Sequence, residues 1–306
     1  MQVVVLFGAG ASYGAFDNPS QRPPLGNELF PKLAATFPET WGCLPEDVVA
    51  DFHSGDSGFE NGMAALREEA VHTQAALIDM GRFFASFRLL PGTNRYLAIV
   101  KFLQSLGPNV EFSFGSLNYE TCLEQSLGRA GLGVLYWEQA PESDRARLVR
   151  VTKPHGSSNF VVDTDTNTFV NVRIVGGGSY VVGARLKFVP LHDVAKATES
   201  GFPPAMSLYA PGKPNLVCPE AVERLRGEWE VAVGAADVVV VIGARPMLES
   251  DPHIWRPIEN SRAPIALIGS DYDPLKQAVR DRLHVIGDTF AAGLDPLKRW
   301  LTDRWT

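Results

Sequence analysis

Short, continuous apolar runs recur along the chain, each running into a glycine-rich or polar loop, with amphipathic segments between them. Val3–Phe7 is β-branched, unbroken and too short for a helix, so the pattern predicts a strand buried on both faces. The same reading predicts strands at Val110–Phe114, Leu148–Thr152, Val238–Ile242, Ile265–Ile268 and Leu283–Ile286. A helix is expected from near Leu25 to Thr36. From Glu60 to Leu90, residues such as Ala64, Leu66, Leu77, Ile78 and Phe84 fall on an apolar helical stripe. Asn94 is a suitable N-cap for a helix reaching Leu106. Glu220–Ala235 and the C-terminal segment are also helical in pattern, while Gly42–Gly62, rich in Gly, Asp and Pro, reads as loop. From Phe160 to Val189 the period shortens to two. The short runs there are split by Asp-Thr and Gly-Gly-Gly turns, which predicts antiparallel hairpins.

Strands alternating with helices define an α/β fold, a Rossmann-like, mostly parallel sheet with helices on both faces. The expected organisation is one catalytic domain over 1–306, with a mainly helical insertion at 40–95 and a β-hairpin insertion at 158–215. Ligands of such sheets sit beyond the carboxyl ends of the strands. Five loops converge there: GAGAS, GSLNYE, KPHGSS, GARP and GSDYDP.

Composition narrows the class. Of 306 residues, 45% are hydrophobic and 21% charged, as expected for a soluble protein with a substantial core. The net charge of −7 gives no bulk field for nucleic acid. Cys43, Cys122 and Cys218 form no C-x-x-C pair, which argues against a disulfide framework and fits a reducing cytoplasm. The first apolar run has no basic flank, and no run approaches the roughly 18 residues of a membrane span. Zinc-type cysteine spacing, H-x-x-x-H and H-E-x-x-H are all absent, so no metal is expected. A lysine-bearing P-loop is missing as well. GGGS at Gly176–Ser179 lies between hairpin strands, where no nucleophile elbow is built.

Each loop admits two readings. In GAGAS, Gly8, Ala9, Gly10 and Ala11 could bring backbone amides to a pyrophosphate, with Ser12 adding a hydroxyl; the alternative is a plain strand-to-helix turn. The third glycine, Gly14, stands one residue later than a dinucleotide fingerprint requires. Asn118 could hold a ribose hydroxyl or orient a water, or it could cap a helix, as Ser116 could. His155, beside Gly156 at the predicted carboxyl edge, is placed for proton transfer near neutral pH. Gly243 and Ala244 follow one late strand. Ser270 and Asp271 follow another and could bind the adenine-side ribose, unless Asp273-Pro274 simply starts a helix.

The order of these loops resembles the sirtuin superfamily. Gly8-Ala9-Gly10-Ala11-Ser12 matches its Gly-Ala-Gly-x-Ser loop. Ser116 to Glu120 stands where Thr-Gln-Asn-Ile-Asp would, and His155-Gly156 matches its His-Gly. Gly243-Ala244-Arg245 replaces Gly-Thr-Ser. The two zinc-binding C-x-x-C pairs of sirtuin deacylases are missing. The loop after GAGAS is shorter, and Asp17 aligns with the family aspartate only across a gap. These departures resemble the sirtuin-like NADase branch of prokaryotic anti-phage defence proteins.

The resemblance implies NAD⁺ as substrate and its hydrolysis to nicotinamide and ADP-ribose, with Asn118 and His155 as catalytic residues. The cofactor-binding set would be Gly8 to Ser12, Asp17, Gly156, Gly243, Ala244, Ser270 and Asp271. A toxic NADase also implies control in trans, by a regulatory protein partner or a homo-oligomer. The competing expectations are a zinc-free deacylase or ADP-ribosyltransferase, and a non-catalytic NAD⁺ or ADP-ribose sensor.

Overall fold

The computed structural model describes residues 1–55, 58–92, 94–136, 147–164, 172–175, 180–209 and 213–305. The Gly176–Ser179 turn lies outside them. In chain order the strands are β1 Gln2–Phe7, β2 Glu111–Ser116, β3 Gly133–Leu135, β4 Leu148–Thr152, β5 Phe160–Val162, β6 Arg173–Val175, β7 Tyr180–Val182, β8 Leu186–Phe188, β9 Val238–Ile242, β10 Ile265–Ile268 and β11 Leu283–Gly287. The helices are α1 Ala9–Ala15, α2 Gly26–Thr36, α3 Glu46–Phe52, α4 Gly58–Glu68, α5 Ala70–Ala85, α6 Arg95–Ser105, α7 Cys122–Arg129, α8 Val194–Ala197, α9 Pro219–Gly234, α10 Pro252–Asn260, α11 Asp273–Val279 and α12 Phe290–Trp305.

Among the described residues, seven strands form one sheet in the order β11-β10-β9-β1-β2-β4-β3. Every neighbouring pair in it is parallel. The continuous apolar runs follow from burial on both faces. Val3, Val5 and Phe7 pack on one side with residues of α6 and α12, while Val4 and Leu6 pack on the other with Trp229, Ile254 and Leu275. Each such side chain contributes about 1.5–3 kcal/mol on burial, so neither face tolerates the polar alternation of a half-exposed strand.

The chain leaves β1 toward β2 on one side and later returns to β9 on the other. The strand order therefore reverses at β1, which makes its carboxyl end the crossover crevice. Phe7 is level with Ser116 and with Ile242, so three loops leave the sheet at the same height. The antiparallel pairs β5–β8 and β6–β7 lie outside this sheet, as the period-two pattern predicts.

Two segments depart from the sequence pattern. Gly42–Gly62, expected as loop, contains all of α3 and the start of α4. Val48 and Phe52, one turn apart, supply a buried stripe behind the acidic first turn of α3. A Cβ on Gly62 would come within 2.2 Å of the Phe52 ring. This glycine thus permits a close helix crossing, which composition alone reads as a breaker. GAGAS, expected as a loop, forms the N-cap and first turn of α1. No helix among the described residues is long and apolar enough to cross a membrane.

Candidate active site at the crossover

The loops leaving β1 and β9 are locked backbone to backbone. The Gly8 amide donates to the Ile242 carbonyl at 3.0 Å, and the Gly10 amide to the Gly243 carbonyl at 2.9 Å. A Cβ on Gly8 would fall 2.5 Å from the Ala244 Cα, and one on Gly243 would fall 2.0 Å from the Ala11 nitrogen. Packing alone therefore demands glycine at both positions. Ala244 is buried beneath this contact.

Ser12 and Asn118 meet beside it. Asn118 Nδ2 donates to the Gly8 carbonyl at 3.0 Å and to Ser12 Oγ at 2.7 Å. Ser12 Oγ donates to Glu120 Oε1 and lies 2.7 Å from the Tyr96 hydroxyl. Because the serine proton goes to the carboxylate, the Tyr96 hydroxyl must be the donor in that pair. The other carboxylate oxygen of Glu120 accepts from the Cys122 amide at 2.5 Å. All of these side chains are buried. The Tyr96 phenol is held far above its usual range by burial and then by the Glu120 charge. These bonds occupy the Nδ2 group of Asn118, and the residue also lines the adjoining cavity.

That cavity is lined by Ala9, Ser12, Pro23, Pro24, Asn118 and Tyr209, among others. Its volume of about 20 Å³ suits one water. Pro23 and Pro24 of the 17–25 segment form part of its wall. Arg22 donates to the carbonyls of Phe16 (2.9 Å) and Asp17 (3.1 Å), and the exposed Asp17 carboxylate pairs with Arg95 at 2.6 Å.

The loop after β4 carries the second cluster. Lys153, fully buried, donates from Nζ to the Glu120 carbonyl at 2.7 Å and pairs with Glu124 at 3.1 Å. Ser158 N and Ser157 Oγ both donate to the Tyr119 carbonyl, so the 118–120 and 153–158 loops are stitched together. A Cβ on Gly156 (φ 74°) would fall 1.9 Å from the Ala205 carbonyl oxygen. His155 Nε2 lies 3.1 Å from His253 Nε2 and 3.5 Å from Asp251 Oδ1. Burial pulls the His155 pKa down, against the pull of Asp251, and Lys213 and Arg226 add to the lowering. Burial, then His155 and Arg226, pushes His253 down to about 3. Burial favours the neutral Asp251 carboxyl, but His155, Lys213 and His253 together outweigh this and hold its pKa low.

Ser270 and Asp271 are exposed on the β10 loop, where Asp271 lies 3.7 Å from Arg245. Neither joins the buried clusters. Asn118 and His155 stand in separate clusters, linked through the stitched loops. Sequence reasoning assigned no role to Tyr96, Glu120, Asp251 or His253. Glu120 was within reach, two residues after Asn118 in the same loop. Asp251 and His253 follow GARP at the start of α10, and only the fold brings them to His155, 98 positions from His253.

The site and the sheet thus define a parallel α/β protein with a polar crevice at its strand crossover. No protein-family model matches the chain, and no curated protein matches it. Among solved structures, the chain is similar to a Sir2 enzyme at 12% identity, covering 98% of this chain and 93% of that one, with a TM-score of 0.46. It is similar to a Sir2 homologue bound to NAD at 14% identity, covering 100% and 91%, with a TM-score of 0.46. A Sir2 homologue mutant bound to ADP-ribose matches at 15% identity over 99% and 92%, with a TM-score of 0.44.

Proposed function

We propose that the chain hydrolyses the N-glycosidic bond of NAD⁺, releasing nicotinamide and ADP-ribose. The observation that carries this reading is the meeting of Ser12 and Asn118, from the ends of β1 and β2, in one buried cluster at the sheet crossover. That is where α/β sheets bind nucleotides. The sirtuin-like order of the loops supports the same substrate.

Nicotinamide leaves as a neutral molecule, so no strong acid is required. The C1′–N bond breaks through an oxocarbenium-like state, and water adds to C1′. In this reading the Asn118 carbonyl accepts from a ribose hydroxyl or from the attacking water. His155 accepts the water proton, or pairs with the ribose hydroxyls. The Gly8–Ser12 turn faces the pyrophosphate and Asp17 lies at the nicotinamide mouth. Gly156, Gly243 and Ala244 shape the floor, and Ser270 and Asp271 meet the adenine-side ribose.

A dinucleotide needs a site of several hundred cubic ångströms. The cavity of about 20 Å³ beside Asn118 takes up only a small part of it. The test is incubation of pure protein with NAD⁺ and analysis of the products. Free ADP-ribose supports hydrolysis, whereas O-acyl-ADP-ribose or modified protein makes the enzyme a transferase. Binding without turnover makes it a sensor.

The reading also fixes a pH dependence. Asp251, Lys213 and Arg226 act on the His155 charge, and His253 lies against its ring. Their net effect with burial is a lowered pKa, so the neutral imidazole persists through pH 6.5 and is lost only below it. The acid limb of kcat for NAD⁺ loss is therefore expected below pH 6.5. A limb centred above pH 7 would remove His155 from the role of base.

A further inference from the structure

The NAD⁺ reading uses His155 and leaves its two neighbours unexplained. Among the described residues, His155, Asp251 and His253 are the one group of His, Cys, Asp and Glu whose donor atoms could share an ion, all lying within 4.8 Å of one another. Asp251 is 5% exposed, and its Oδ1 is buried with no hydrogen-bond partner.

Protons alone satisfy this group poorly. If His155 Nε2–H donates to His253, Asp251 Oδ1 is left without a good donor, and if it turns to Asp251, the His253 lone pair is left without one. If His253 donates instead, the bare His155 nitrogen faces a bare carboxylate oxygen 3.5 Å away. If both Nε2 atoms carry protons, two N–H groups oppose each other at 3.1 Å. Three lone pairs converge, and one bridging proton leaves at least one unmatched.

We propose that His155, His253 and Asp251 form a binding site for a divalent transition-metal ion of the zinc type. Zinc binds imidazole nitrogen at about 2.0–2.1 Å and carboxylate oxygen at about 2.0–2.2 Å. At such bond lengths, nitrogens 3.1 Å apart subtend about 100° at the ion, and the 3.5 Å nitrogen–oxygen pair subtends about 115°. Both angles are near tetrahedral. Two imidazoles and one carboxylate suit zinc or cobalt, not the all-oxygen preference of magnesium or calcium. Three protein ligands leave the fourth position to water.

The ligands stand on fixed backbone. Asp251 caps α10, Pro252 opens the helix and His253 follows it, and Ile254, Trp255 and Ile258 anchor the helix in the core. The Ser207 amide donates to the His155 carbonyl at 2.8 Å. The nearby cations are already compensated, since Lys213 pairs with Glu60 at 3.0 Å and Arg226 with Glu223 at 2.6 Å. Half-buried His253 gives an ion its route from solvent.

An ion here occupies the lone pair with which His155 would take a proton from water. Metal binding therefore inhibits the hydrolysis proposed above, and this consequence rests on that reading; the site itself does not. The experiment uses the full chain stripped with a chelator and titrated with Co²⁺. The expected result is the intense visible d–d spectrum of tetrahedral cobalt, saturating at one equivalent and displaced by Zn²⁺. His253→Gln and Asp251→Asn are each expected to weaken Co²⁺ binding at least about 10-fold, the scale on which even outer partners of metal ligands act. No stoichiometric cobalt spectrum in the wild-type chain, or equal affinity in His253→Gln, overturns the proposal. In parallel, NAD⁺ loss is measured with and without Zn²⁺. A cobalt spectrum in a protein that never consumes NAD⁺ upholds the metal site and removes the NADase reading. Zn²⁺ binding without slower NAD⁺ loss removes the inhibitory role.

Discussion

His155→Ala is expected to lower kcat for NAD⁺ hydrolysis by about 10²- to 10⁴-fold, the range for loss of a positioned proton-transfer group. The fold should survive, because the backbone around His155 does the structural work. Its carbonyl accepts from Ser207, and the adjacent glycine makes the close approach to Ala205. Thermal melting of the variant checks this. Asn118→Ala should cost about 10²- to 10³-fold, the range for removing one hydrogen-bonding group that stabilises a transition state. It also strips one donor each from Gly8 O and Ser12 Oγ, but Ser12 keeps Tyr96 and Glu120. Asn118→Asp is the sharper control. It preserves shape yet sets a carboxylate in the cluster that already holds Glu120, so turnover should stay low. Chromatography of NAD⁺ and nicotinamide gives the rates, and turnover undiminished in either alanine variant refutes the assignment of that residue.

The sheet was legible because two-sided burial leaves a plain mark. Val3–Phe7 and Val238–Ile242 could not be so uniformly apolar with one face in water. The crossover followed from strand order, and the loops that read as polar do meet at its height. Less legible was what the glycines do. Gly8 and Gly243 are required by backbone packing whether or not a phosphate ever binds, so their presence in GAGAS and GARP could not separate the two explanations. Gly62 misled in the opposite direction, since a helix crossing needed a residue that composition scores as a breaker. The His155–Asp251–His253 group was invisible because metal-type spacing was sought within local motifs. Only the packing of α10 beside the β4 loop brings these residues together.

The largest expected effect on stability comes from Lys153, which the sequence presented merely as the first letter of KPHGS. Its ammonium is fully buried, bonded to the Glu120 carbonyl and paired with Glu124. Removing one partner of a buried pair costs about 3–5 kcal/mol, a large share of the roughly 5–15 kcal/mol that holds a domain folded. Lys153→Met should therefore lower the urea midpoint sharply at neutral pH. Burial already raises the Glu124 pKa, while Lys153 pulls it down. Without the lysine, the folded-state pKa climbs further above its unfolded value. Stability is then fully present below the unfolded value and is lost as pH rises through the folded one. The deficit of Lys153→Met should accordingly be smaller near pH 5 than near pH 8, and adding Glu124→Gln should abolish that pH dependence. A deficit below about 1 kcal/mol at pH 8, on the scale of an exposed pair, would mean that this ion pair does not behave as a buried one. Because Lys153 also ties the 118–120 loop to the 153–158 loop, its loss should slow NAD⁺ turnover while the chain remains folded. The double variant Lys153→Met with Glu124→Leu, which replaces the pair by apolar side chains, should recover stability without recovering that turnover.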